Sequence, residues 1–126
     1  MILQGEVLFD TGSDALTKEG DALMADMGHK LAGLLAAEPG QMVLVGGHTD
    51  DKQIHGGRFR SNWELSTARA LAVAHVLTRA GVPPDRVVAS GFGEHHPRAD
   101  NLDEAGRAKN RRIEVLVVPI HSVSSR

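Results

Sequence analysis

Eight consecutive residues, Met42-Val-Leu-Val-Gly-Gly-His-Thr49, constrain this chain more than any others. The run opens apolar and β-branched with no alternating polar positions, which suits an interior strand buried on both faces. It is too short for a helix. Its two glycines point to a close backbone approach at that end. On either side lies a stretch whose apolar residues recur at three and four. From Thr17 to Ala37 these are Leu23, Met24, Met27, Leu31, Leu34 and Leu35, and Glu38-Pro-Gly40 stops the pattern. Asp50 to Arg60 is polar, holds Gly56-Gly57, and must be a loop. Ser61-Asn-Trp-Glu64 then forms a capping box: the Ser61 hydroxyl takes the Glu64 N–H, and the Glu64 carboxylate reaches back to the first turn. The helix it opens runs through Leu65, Ala68, Leu71, Ala72, Val76 and Ala80, and Gly81 with Pro83-Pro84 closes it.

The remaining elements are shorter. Glu6-Val-Leu-Phe9 is expected as a first strand, ended by the turn-rich Asp10-Thr-Gly-Ser-Asp14. Arg86 to Ser90 is a third strand, Gly91 to Pro97 a loop, and Asp103 to Lys109 one or two helical turns. Arg112-Ile-Glu-Val-Leu-Val-Val118 is a last strand with Ile113, Val115 and Val117 on one face. The order β-α-β-α-β-(α)-β predicts an α/β fold, a two-layer sandwich in which two long helices cover one sheet. Residues 6–118 read as one domain and 119–126 as a frayed tail. No internal repeat or low-complexity segment interrupts it.

Composition narrows what such a domain does. Its 126 residues suffice to bury a core without disulfides or a structural metal. Cysteine is absent, which fits either redox compartment. Fourteen Lys and Arg against sixteen acids leave a formal charge of −2, which argues against duplex DNA or an anionic membrane surface as partner. Arg107, Lys109, Arg111 and Arg112 make a basic cluster. Nucleic acid is still not expected, because acids balance it and few rings are available to stack. The four aromatics are Phe9, Phe59, Trp63 and Phe92, and most are expected in the core, leaving no surface that reads sugars by stacking. No apolar run approaches the ~20 residues that span a bilayer, and the first residues lack the pattern of a signal peptide. The expectation is a soluble body, or a domain cut from a longer protein.

Chemistry concentrates in Gly47-His-Thr-Asp-Asp51, at the end of the interior strand, and in Ser66-Thr-Ala-Arg69, in the first turns of the next helix. Open α/β sheets place ligands where strand ends meet helix N-termini. An Asp and an Arg held at one such edge match a zwitterion, the carboxylate taking an ammonium and the guanidinium a carboxylate. The alternative is that Asp50 and Arg69 pair only with each other. A second class is a metal-dependent hydrolase acting through His48, Asp50 and His95, with His96 beside them. Their spacing matches no regular ligand motif. His75, between Ala74 and Val76, reads as packed or half exposed. Nucleophilic catalysis has less support: there is no Cys, and Ser61 and Ser66 belong to a helix start.

The ordered motifs Gly47-His-Thr-Asp50, Ser61-Asn-Trp-Glu-Leu-Ser66, Ala68-Arg69-Ala70, Gly91-Phe-Gly-Glu94, Pro97, Asn101 and Gly106-Arg-Ala-Lys-Asn-Arg-Arg-Ile-Glu114 resemble the OmpA/MotB-like C-terminal domain, which binds peptidoglycan. The resemblance covers residues 6–118. It implies a mixed four-stranded sheet covered by helices and a non-catalytic site without cofactor or metal. The implied ligand is the diaminopimelate of the stem peptide, whose side chain ends in its own ammonium and carboxylate. The family's aspartate falls on Asp50 and its arginine on Arg69, with Thr49 in the same motif as Asp50. Asn62 matches an asparagine that bonds the peptide backbone, and Leu65 the apolar residue near it. Arg111 and Arg112 match the closing Asn-Arg-Arg, and Arg111 is preferred as the ligand residue. The alternative for Asn110-Arg-Arg112 is a structural network tying the last loop to the sheet.

One departure bears on the branch of the family. Residues 51–61 are longer than the connection in porin-type members and, with Ser-Asn-Trp-Glu-Leu-Ser, are similar to flagellar-stator or type VI secretion anchors. The resemblance implies a parent protein attached to the inner or outer membrane by a segment absent here. It places the domain on the periplasmic face of the envelope, with homodimerisation as a source of avidity. The expected domain reads the stem peptide and largely ignores the glycan.

Overall fold

The computed structural model describes residues 1–54 and 57–122. The chain runs β1 (Ile2–Gln4), α1 (Gly5–Leu8), α2 (Lys18–Ala37), β2 (Gln41–His48), α3 (Asn62–Arg79), β3 (Val87–Gly93), α4 (Glu104–Asn110) and β4 (Arg112–Pro119). The four strands form one sheet in the order β1-β4-β2-β3. β2 is parallel to β3 and antiparallel to β4, and β4 is antiparallel to β1. The strand with the unbroken apolar run is thus interior, and α3 supplies the crossover that a parallel pair requires. Met24, Met27 and Leu35 of α2 and Ala70, Val73, Val76 and Leu77 of α3 close over Val43, Val45, Ile113 and Val115. This is the mixed α/β sandwich that the element order implies. No helix among the described residues is long and apolar enough to cross a membrane.

Both long helices start on side-chain caps. The Thr17 hydroxyl accepts from Gly20 N at 3.0 Å and the Ser61 hydroxyl from Glu64 N at 3.2 Å, each worth about 1 kcal/mol. The Glu64 carboxylate reaches back to Arg60 N, one residue beyond a standard box. Leu23, Leu34 and Leu71 flank the buried stripes and stay exposed. His75 is exposed as well.

Several boundaries differ from expectation. Glu6 to Phe9 is not a strand. The pairing with β4 comes earlier, at Ile2–Gln4, and Gly5–Leu8 is one helical turn. A hydrogen bond from Gly5 N to Arg111 O, 2.8 Å, marks the change, and the turn sends Leu8 and Phe9 into the core. β3 continues through Gly91 and Phe92 to Gly93, because its parallel pairing with β2 persists to His48. β4 extends to Pro119 and Ile120–Ser122 form a 3-10 turn held by Ile120 N to Gly40 O, so residues 119–122 of the expected tail are structured; residues 123–126 lie outside the described residues. Val117 does not join the buried face of Ile113 and Val115. β1 pairs with β4 only as far as Glu114, which leaves Val117 on an open edge.

Two glycines set the position of α3. A methyl group at Gly47 would overlap the Ser66 carbonyl, and one at Gly91 would overlap Thr67 Oγ1 and its backbone N. The first turns of α3 therefore lie directly on the ends of β2 and β3. Gly47→Ala is expected to cost about 1 to 3 kcal/mol through overpacking. Gly33→Ala, on the exposed side of α2 with nothing within 4 Å of the new carbon, should gain about 0.5 to 1 kcal/mol. Urea unfolding midpoints of the two variants should move in opposite directions.

Candidate functional site

The close seat of α3 opens a cleft of about 780 Å³ between the end of β2, the start of α3, the α1 turn and the loop after β2. Thr49, Asp50, Asn62, Leu65, Arg69 and Arg111 all line it. Six residues from three chain segments, each named from sequence, are thus brought to one place.

Arg111 is the electrostatic centre. Its Nη1 donates to Asp50 Oδ2 at 2.6 Å, its Nε and Nη2 donate to Glu6 Oε1 at 3.0 and 2.6 Å, and Nη2 also donates to Glu104. Burial works against the charge of this guanidinium, but the hydrogen bonds to Glu104, Glu6 and Asp50 outweigh it and raise its pKa. The same hydrogen bond from Arg111 is the main reason the Glu104 carboxyl is held below its usual range. Glu6 and Glu104 belong to no motif and no apolar period. Only the fold brings them beside Arg111.

Asp50 does not pair with Arg69. It is buried, with Oδ1 accepting from Lys52 N at 3.0 Å and Oδ2 from Arg111. Arg69 instead holds the loop after α1: Nε donates to Ser13 O at 2.8 Å, Nη2 to Asp10 O at 3.0 Å, and the guanidinium lies over the Phe9 ring. Burial lowers its pKa from a very high starting value, so it stays charged. No acceptor among the described residues takes its Nη1. Asn62, expected to hold a ligand backbone, is buried and uses Nδ2 internally, toward Lys52 O at 3.0 Å, Glu94 Oε1 at 3.2 Å and Asp50 O at 3.4 Å. Thr49 donates its backbone N–H to Gly93 O and its hydroxyl to Asp50 O. Leu65 is an apolar wall.

The longer loop contributes a wall through Lys52, Gln53, Ile54, Gly57, Arg58 and Phe59; His55 and Gly56 lie outside the described residues. Arg58 pairs with Asp14 at 2.8 Å and stands over Phe59, joining this loop to the one Arg69 holds.

The closing Asn110-Arg-Arg112 divides between the two readings. Asn110 Oδ1 accepts from Arg98 N and Ala99 N, and its Nδ2 donates to Ala99 O and Asn101 Oδ1. Arg112 donates to Glu114, His96 O and Asn110 O. These two form the structural network, and Arg111 alone lines the cleft. The hydrolase set does not assemble. His48 stacks on Phe92 at 4.8 Å and lines a smaller cleft on the sheet face away from the helices, with Glu114 Oε1 3.8 Å from its Nε2, while His95 lies against Trp63. Among the described residues no three His, Cys, Asp or Glu side chains are grouped to hold a metal ion.

The structure is thus a two-layer α/β sandwich with a partly buried ion pair in an open cleft. The chain belongs to the OmpA family, whose sequence model matches residues 8–111. It is 35% identical to Motility protein B of Bacillus subtilis over 93% of its length and 44% of that protein. It is 38% identical to the peptidoglycan-binding protein ArfA of Mycobacterium bovis over 71% of its length and 26% of that protein. Among solved structures, the cell wall anchor of the type VI secretion system from Pseudomonas aeruginosa superposes with a TM-score of 0.78 at 36% identity, covering 94% of this chain and 78% of that one. The chain thus spans less than half the length of these two curated relatives.

His48 gives the fold a pH dependence separate from the cleft. Neither ring nitrogen has a hydrogen-bond partner among the described residues. Burial first, then the nearby Arg112, lowers its pKa to about 4, with Glu114 opposing and His96 adding a little. Below the unfolded value of about 6.5 the unfolded chain takes up a proton that the folded one refuses until about pH 4. This contribution is complete above about pH 6.5 and is lost on acidification to about pH 4, on the order of 3 kcal/mol. Urea unfolding at pH 7.5 and 4.5 should show a smaller loss in His48→Gln than in the parent.

Proposed function

We propose that this domain binds peptidoglycan without bonding to it covalently, gripping the diaminopimelate side chain of the stem peptide. It thereby ties a membrane-attached protein to the cell wall. The observation that carries the reading is the Asp50–Arg111 pair, beside which Arg69 has an Nη1 that no described residue accepts from. A side chain carrying both an ammonium and a carboxylate inserts into such a pair, its ammonium replacing Arg111 on Asp50. Its carboxylate then takes donors from Arg111 and Arg69. Arg111 keeps Glu6 and Glu104 during the exchange, so no buried charge is stranded.

The peptidoglycan-binding ArfA and the cell wall anchor among its relatives support the same reading. Each charge-assisted contact contributes about 1.5 to 3 kcal/mol, and the ion pair that opens offsets part of it. The isolated domain therefore binds weakly and gains grip from copies of the parent acting together, as in a homodimer. Its place is the periplasmic face of the envelope.

Asp50→Ala and Arg111→Ala should each lower co-sedimentation with diaminopimelate-type sacculi at least about tenfold, one charge-assisted contact's worth. Their circular dichroism should match the parent's. Lysine-type sacculi, which lack the terminal carboxylate, should bind worse. Unchanged sedimentation in both variants would sink the assignment.

A further inference from the structure

We infer that Trp63 and His95 form a stacking platform for an N-acetylated amino sugar of the glycan strand, beside the cleft that takes the peptide. This rests on the peptidoglycan reading and runs against the expectation that the glycan is ignored. Trp63 is not in the core. It is 57% exposed at the start of α3, and its indole N–H has no acceptor among the described residues. The exposed His95 ring lies 4.6 Å from it, tilted 45°.

The backbone beneath is built for this pair. Gly93 has φ +62°, and a side-chain carbon there would lie 3.3 Å from Trp63 Cδ1 and 3.4 Å from His95 Cδ2. A glycine suits both the positive φ and the close approach of the two rings. The turn closed by His95 N to Phe92 O, 3.3 Å, sends His95 toward Trp63 and Glu94 toward the cleft. There Glu94 Oε1 accepts from Asn62 Nδ2 and Gln53 Nε2, and Oε2 has no donor among the described residues. Asn62 and Gln53 are themselves cleft walls.

An exposed indole face, its N–H, and a carboxylate oxygen joined through Glu94 Oε1 to Asn62 and Gln53 of the cleft wall therefore lie beside the peptide site, the N–H and the oxygen without partners among the described residues. A pyranose with equatorial substituents offers the matching set: a C–H face for the indole, an N-acetyl carbonyl for its N–H, and a hydroxyl for Glu94. Among the described residues neither the indole N–H nor that carboxylate oxygen has another partner.

Trp63 is the only tryptophan in the chain, so its emission reports the platform directly. The parent domain, Trp63→Ala and Trp63→Phe would be titrated with the diaminopimelate-containing peptide alone, the wall disaccharide alone, and the muropeptide joining them. The disaccharide should change the parent's emission. The muropeptide should bind about threefold or more tighter than the peptide, an advantage abolished in Trp63→Ala and partly kept in Trp63→Phe, while peptide affinity stays the same. An equal muropeptide advantage in Trp63→Ala, or none in the parent, would overturn the platform while leaving the cleft. Failure of the peptide to bind the parent would overturn the cleft reading, and the platform with it.

Discussion

The contact on which the rest depends is the direct seating of α3 against the ends of β2 and β3. Gly47 and Gly91 remove the side chains that would hold the helix away. The helix consequently starts level with the point where β2 ends. Asn62, Leu65 and Arg69, one helical turn apart along α3, stand beside Thr49 and Asp50 at the strand's exit. The same seating lets Ser66 Oγ accept from Gly93 N, which fixes the turn carrying Glu94 and His95. The close backbone approach that the β2 glycines point to in sequence thus places the α3 groups of the cleft beside Thr49 and Asp50.

Electrostatics then govern the cleft. A formal charge of −2 spread over thirty charged side chains says little, because the groups that matter are internally matched. Arg111 faces three carboxylates and Arg69 three-way support from two carbonyls and a ring. Matching at this density lets charges be partly buried without stranding any of them. It also means that a ligand competes with protein partners. On the proposed reading, selectivity favours a molecule that supplies both signs of charge at once, because a lone carboxylate that draws Arg111 away leaves the buried Asp50 short of a partner.

Much of this was legible in the chain itself. The three- and four-residue spacing of α2 and α3, with Thr17 and Ser61 ahead of them, carries their starts, and the unbroken run of β2 carries its interior place. β1 was not legible, because three residues with only Leu3 buried leave no pattern. The end of β3 was hidden because Gly91 and Gly93 resemble loop residues when their helix partner is unseen. The residues of the cleft could be named, but not their pairing. Nothing local says that Asp50 meets Arg111, 61 residues away, rather than Arg69, or that Glu6 and Glu104 complete the set. The expectation that most of the four aromatics lie in the core failed for a related reason, since only Phe9 is buried: position along an element fixes where the backbone lies, not which side a ring takes.

The most direct measurement is the location of the contact. Amide chemical shifts of the labelled domain would be followed during titration with free meso-diaminopimelic acid. The account predicts shifts concentrated at Thr49 to Lys52, Asn62 to Arg69 and Arg111, with the sheet face around His48 and Arg112 quiet. Shifts centred on that opposite face, or none at saturating ligand, would contradict it.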